Sequence, residues 1–145
     1  LRICKNGKQI RDQYASRYYD QIGVGIDFTA RDLQAKLKEG GLPWEKAKAF
    51  DHSAVVGKMV PVSAIPDMSA VHFSLNKNGT QVQVGNSKDM LFNFDQLFTH
   101  ISRYFTVNIG DLVFTGTPAG VGRVQIGDRL EGFLEGEPLL DFEVR

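Results

Sequence analysis

Val71-His72-Phe73-Ser74-Leu75-Asn76-Lys77-Asn78-Gly79-Thr80-Gln81-Val82-Gln83-Val84-Gly85 is the stretch whose reading decides the fold. Asn78-Gly79 is a two-residue turn of the type I′ kind, tolerant of positive φ and twisted to suit two antiparallel strands. Counting outward from it sets Leu75 opposite Val82 and Phe73 opposite Val84, with all four side chains on one face. Turn chemistry and strand period agree on a β-hairpin.

Beyond the hairpin, Asn93 with Gln96 three residues on forms a capping box. Phe94, Leu97, Phe98, Ile101 and Phe105 then recur at helical spacing, predicting a helix to about Tyr104. From Gly110 the chain reads as β: Leu112-Val113-Phe114, a Gly-rich loop, Arg129 to Leu134, and Leu139 to Val144. Before the hairpin, Ile22-Gly23-Val24-Gly25-Ile26-Asp27-Phe28 reads as one buried strand closely approached by other backbone. A helix follows it, with Thr29 as N-cap, Asp32 in the third helical position, Gly40-Gly41 as the stop and Ala30, Leu33 and Leu37 as its apolar stripe. Glu45 to Phe50 reads as a turn or short helix, and Pro61 and Pro66 punctuate a loop-rich stretch. Few helices among many strands indicate an α+β domain in which β dominates.

The 145 residues fit one domain, 1–145, and at 42% hydrophobic and 23% charged they match ordinary globular chains. Seventeen basic residues balance 17 acidic ones, so no global field favours nucleic acid or an anionic membrane surface. Cys4 is the one cysteine, which forbids an intrachain disulfide and suits a cytoplasmic location. No apolar run approaches the roughly 20 residues of a membrane span, and no secretory signal is visible. Leu1-Arg2-Ile3-Cys4 reads as the end of a strand running into the turn Lys5-Asn6-Gly7-Lys8, so the expectation is a chain cut inside a domain.

Several residues could carry chemistry, each with a plainer alternative. Asp27, where strand meets helix, either complements the helix dipole or ligates a hard divalent ion. Arg31 and Gln34 in the first helical turns either face solvent or grip a carboxylate and a carbonyl, and Asp32 is a ready structural partner for Arg31. Lys48, within Ala47-Lys48-Ala49-Phe50, either snorkels at the surface or stabilises an enolate. Thr115-Gly116-Thr117-Pro118-Ala119-Gly120-Val121-Gly122 is a β-turn or a loop offering N–H groups and hydroxyls to an oxyanion. It lacks the ending of a phosphate loop. His52, His72 and His100 form no metal spacing.

Order and wording together resemble the fumarylacetoacetate hydrolase family. The likeness rests on Asp27-Phe28-Thr29-Ala30-Arg31-Asp32-Leu33-Gln34, on Leu42-Pro43-Trp44-Glu45-Lys46-Ala47-Lys48-Ala49-Phe50-Asp51, and on Gly110-Asp111-Leu112-Val113-Phe114-Thr115-Gly116-Thr117-Pro118-Ala119-Gly120-Val121-Gly122 with Gly127-Asp128. It covers nearly the whole chain from Tyr18. The resemblance implies an α+β, β-dominant mixed β-sheet roll or barrel with a few helices, a homodimer, and a magnesium, manganese or calcium site. It implies that Asp27 is a metal ligand, that Arg31 and Gln34 line the substrate pocket, that Lys48 is catalytic, and that Gly116 and Thr117 bind the substrate carboxylate.

Ala49 stands where many members have Ser, and the family's Glu-x-Glu metal ligands and its water-activating Glu/His pair are expected upstream of Leu1, outside these residues. The implied activity is metal-dependent chemistry on small 2-oxo or 1,3-dioxo acids through an enolate: C–C hydrolysis, decarboxylation or hydroxymuconate-type isomerisation. The rival is a non-catalytic scaffold that keeps the fold without a complete metal site.

Overall fold

In a computed structural model describing residues 1–145, the first half of the chain forms β1 (Arg2–Ile3), α1 (Asp12–Ala15), β2 (Tyr19–Ile22), β3 (Gly25–Asp27), α2 (Arg31–Glu39), α3 (Glu45–Lys48), β4 (Ala54–Val56) and β5 (Val60–Pro61). The second half forms β6 (His72–Lys77), β7 (Thr80–Asn86), α4 (Phe94–Tyr104), β8 (Arg129–Leu134) and β9 (Glu137–Glu143). Every strand pairing is antiparallel, and the class is α+β with β dominant. The chain divides into two units, residues 25–56 and the remainder.

In the larger unit a four-stranded sheet runs in the order β7-β6-β8-β9, and a three-stranded one in the order β1-β2-β5. The predicted hairpin is present, with Asn78 at φ 52° and Gly79 at φ 78° as a type I′ turn requires. Its predicted register is corrected. Lys77 pairs with Thr80 and Asn76 with Gln81, but Leu75 then pairs with Gln83 and Phe73 with Gly85. The ladder shifts between Leu75 and Asn76, leaving Val82 as the extra residue of a β-bulge. One inserted residue exchanges the faces of everything beyond it. Val84 is therefore 58% exposed, and the Phe73 ring lies over Gly85, where an added Cβ would strike it.

Helix α4 begins with the predicted capping box. Asn93 Oδ1 accepts from Gln96 N at 2.9 Å and Gln96 Oε1 accepts from Asn93 N at 3.0 Å, an arrangement worth about 1 kcal/mol. Phe98 points into the core with no exposed surface, its ring 5.8 Å from that of Tyr18 and edge-on to Tyr19 at 6.2 Å. Ile3, Ile22, Val71, Val107 and Leu134 belong to the same cluster. Phe105 does not join it: the helix ends at Tyr104, and Phe105 is extended and 67% exposed. Tyr19 Oη donates to Asp95 Oδ1 at 2.8 Å, and burial, then that carboxylate, push the phenol far above its usual pKa.

Leu112-Val113-Phe114 is not a regular strand. It meets β1 irregularly, through Val113 N donating to Leu1 O at 2.8 Å and Ile3 N donating to Asp111 O at 2.9 Å. The segment Ile22 to Phe28 is likewise not one strand. β2 pairs with β1 and β5, whereas β3 pairs with β4, and the chain changes partners at Gly23-Val24. A Cβ on Gly23 would lie 2.6 Å from Met59 Sδ and 3.0 Å from the Lys58 carbonyl oxygen, so the predicted close approach is real at that glycine. Beyond it β3 is half-exposed rather than buried.

Within residues 25–56, β3 and β4 form a two-stranded ladder that sets Asp27 opposite Ala54. Phe28 N donates to Ser53 O at 2.7 Å and Ala30 N to Ala47 O at 3.0 Å, which pins the β3–α2 connection against α3. The predicted Thr29 cap is corrected: α2 starts at Arg31 behind Ala30, with no side-chain cap. The Thr29 hydroxyl is engaged elsewhere.

Candidate active site

Asp27 closes β3 and Lys48 closes α3, and their side chains meet. Lys48 Nζ donates to Asp27 Oδ2 at 2.6 Å and to Thr29 Oγ1 at 2.8 Å. An ammonium has three N–H donors, so one is left for a further oxygen. The Lys48 side chain is 33% exposed and that of Asp27 49%. The ion pair is thus open to solvent on one side rather than sunk in apolar surroundings. Thr29 is the member the sequence reading missed as a partner. Its signal was the extended chain, which sends residues two apart to the same side.

On α2, Arg31 Nη1 donates to Gln34 Oε1 at 3.0 Å. The expected Asp32 partnership for Arg31 is not what forms. Gln34 is 7% exposed although most of α2 faces water. Its carbonyl is occupied by Arg31, so its amide nitrogen is the group it can offer as a donor.

In the other unit, residues 115–122 form the irregular loop expected. Gly116 at φ 124° and Gly120 at φ 100° adopt conformations that favour glycine. Gln83 on β7 donates from Nε2 to Thr117 Oγ1 at 3.0 Å and to the Pro118 carbonyl at 3.1 Å. A Cβ on Gly120 would collide with the Val82 carbonyl oxygen. The sequence reading missed Gln83, because the bulge that aims it at the loop has no signature in the apolar pattern. His52, His72 and His100 are all exposed. His72 Nε2 lies 2.9 Å from Asn86 Nδ2, and the His100 ring is 5.3 Å from that of Tyr104.

A model described as fumarylacetoacetate (FAA) hydrolase C-terminal matches residues 1–144. The chain belongs to the fumarylacetoacetate hydrolase family. It is 39% identical over 133 residues to an oxaloacetate tautomerase of Escherichia coli strain K12, covering 91% of this chain and 61% of that protein. It is 36% identical over 143 residues to the mitochondrial oxaloacetate tautomerase of Mus musculus, covering 99% and 65%. The crystal structure of a fumarylpyruvate hydrolase from Pseudomonas aeruginosa in complex with Mn2+ and pyruvate superposes with a TM-score of 0.91 at 37% identity, covering 99% of this chain and 61% of that one. The chain thus spans less than two thirds of the length of these relatives.

A divalent metal in this family can be tested against the donors present. Hard divalent ions need several oxygen ligands. No group of three or more His, Cys, Asp or Glu side chains comes together in this chain, and Asp27 is a single carboxylate already bonded to Lys48. These 145 residues do not by themselves fit a divalent ion.

Proposed function

We propose that the full-length protein is an enzyme acting on small 2-oxo or 1,3-dioxo acids through an enolate, with Lys48 as the catalytic cation. What supports this reading is the ammonium of Lys48, oriented by Asp27 and Thr29 and left with one free donor. In such chemistry a proton, or a carbon substituent, leaves the carbon beside the ketone. Its electron pair forms a C=C bond, and the ketone oxygen takes up negative charge. A fixed ammonium facing that oxygen stabilises the charge as it develops. Arg31 and Gln34 are proposed to line the substrate pocket, and Gly116 and Thr117 to bind the substrate carboxylate. Relatives named as oxaloacetate tautomerases and as a fumarylpyruvate hydrolase share substrates with an acidic carbon next to a ketone, which favours tautomerisation or C–C hydrolysis as the outcome.

The manganese in the Pseudomonas aeruginosa structure supports a divalent cofactor, magnesium or manganese, with Asp27 as one ligand and the others supplied from outside these residues. A homodimer is proposed as well, since Leu91 at 94% and Ile126 at 84% exposure leave apolar surface that association would cover. No helix is long and apolar enough to cross a membrane. The lone free Cys4 suits the reducing cytoplasm we propose as its location.

The test is an assay of the full-length protein with manganese, following ultraviolet absorbance of the enol of oxaloacetate and the loss of fumarylpyruvate. Turnover of either supports the reading. A folded protein that turns over neither returns the scaffold alternative.

A further inference from the structure

We propose that Gln83 is a positioning residue that holds the Thr117 hydroxyl as a hydrogen-bond donor toward the anionic end of the substrate. The inference rests on the reading that Thr117 binds the substrate carboxylate, and it assigns the residue that gives that hydroxyl its polarity.

The Gln83 side chain reaches two oxygens of the loop at once, Thr117 Oγ1 at 3.0 Å and the Pro118 carbonyl at 3.1 Å. A carbonyl oxygen only accepts, so the Pro118 contact fixes which end of the amide faces the loop: the reverse orientation would set one carbonyl oxygen against another. With Nε2 so placed, its second N–H points to Thr117, and the threonine oxygen must accept. A hydroxyl that accepts still carries its own O–H, and that hydrogen needs an acceptor elsewhere. Thr117 is exposed and has no second partner within these 145 residues. Its hydrogen is therefore available to an incoming oxygen, and an anionic one binds it most strongly.

The backbone supports the same geometry. Val82, the extra residue of the β7 bulge, presents its carbonyl to Gly120 so closely that no Cβ could stand between them. The bulge also sets Gln83 rather than Val82 opposite Leu75. One irregularity in a strand thereby seats the loop at Gly120 and aims the amide at Thr117 and Pro118. Pro118 confines Thr117 to extended backbone, which limits the ways the hydroxyl could escape.

The experiment is a kinetic double-mutant cycle in the full-length protein with manganese, using whichever of oxaloacetate and fumarylpyruvate it turns over. Thr117→Val should raise KM about tenfold, as loss of a hydrogen bond to a charged group does, with kcat far less affected. Gln83→Leu should raise KM in the same direction. Gln83→Glu keeps the shape but offers acceptors to the Thr117 hydroxyl, and should raise KM further than Gln83→Leu.

The double variant Gln83→Leu with Thr117→Val should be no worse than Thr117→Val alone, because Gln83 acts only through that hydroxyl. Should Gln83→Leu fail to fold, the isosteric Gln83→Glu carries the test with the same KM readout. If Thr117→Val leaves KM unchanged, the carboxylate-binding reading of Thr117 fails and takes this proposal with it. If Thr117→Val raises KM while the Gln83 variants do not, or the double variant multiplies the two effects, Gln83 merely holds the loop and this proposal alone is overturned.

Discussion

Lys48 Nζ lies 2.6 Å from Asp27 Oδ2, joining the end of a short helix to the end of a strand 21 residues earlier. Both side chains are partly open to water, so the pair itself contributes no more than about 1 kcal/mol to stability. Its consequence is orientational. Asp27→Asn should leave the thermal midpoint nearly unchanged while turnover falls about 10²-fold or more, because it both loosens the ammonium and removes the proposed metal ligand. Steady-state kinetics beside a thermal melt separate the two. A large fall in midpoint with normal turnover per folded molecule would make the pair a structural one.

Asp128 should give stability a distinct acid limb. Its carboxylate accepts from Asn78 Nδ2 at 2.7 Å and from Gln125 N at 2.8 Å, with Lys77 nearby at 3.8 Å. These contacts, the Asn78 bond first, hold its pKa below the usual carboxylate value. The folded pKa is depressed, so the stabilisation is present above the unfolded value of about 3.9 and is lost as pH falls through the folded one. Asp128→Asn should therefore be less stable than the parent at neutral pH and converge with it in acid. Denaturant titrations across that range check this, and a constant difference at every pH contradicts it.

How far the sequence carried the reading depended on how local each determinant is. The Asn78-Gly79 turn and the Asn93/Gln96 box are chemistry between near neighbours, and both form as read. The register of β7 is not local. The bulge at Val82 is decided by how the strand packs against β6 and against Gly120, and the apolar alternation of Phe73, Leu75, Val82 and Val84 pointed the other way. The break at Gly23-Val24 was hidden for a similar reason, since each half of that apolar run finds a different partner strand. Of the candidate residues named from the sequence, Asp27 is bonded to Lys48 and Arg31 to Gln34. The Thr29 contact to Lys48 and the Gln83 contact to Thr117 join side chains that spacing alone does not pair.

Gly120→Ala should cost stability and disturb the loop together. Gly120 sits at φ 100°, and a Cβ would strike the Val82 carbonyl oxygen. Strained backbone of this kind costs on the order of 1–3 kcal/mol. Urea denaturation should show a lower midpoint with an unchanged slope. An alanine variant as stable as the parent would mean that the loop is not seated on the bulge.

Metal binding should be weak in the 145-residue chain. A single carboxylate that already bonds an ammonium offers a divalent ion neither the charge nor the ligand number it needs. Calorimetric titration with manganese should give no saturable one-site isotherm. Tight one-site binding would show that ligands other than Asp27 lie within these residues.

The most direct measurement is the turnover of Lys48→Met in the full-length protein, with manganese and oxaloacetate or fumarylpyruvate as substrate. Methionine keeps most of the volume and the unbranched shape of the side chain but removes the ammonium that Asp27 and Thr29 hold. The expected kcat is about 10²- to 10³-fold lower with the fold intact, as when a group that stabilises developing negative charge is lost. A folded Lys48→Met protein that turns over substrate at the parent rate would contradict that role for Lys48.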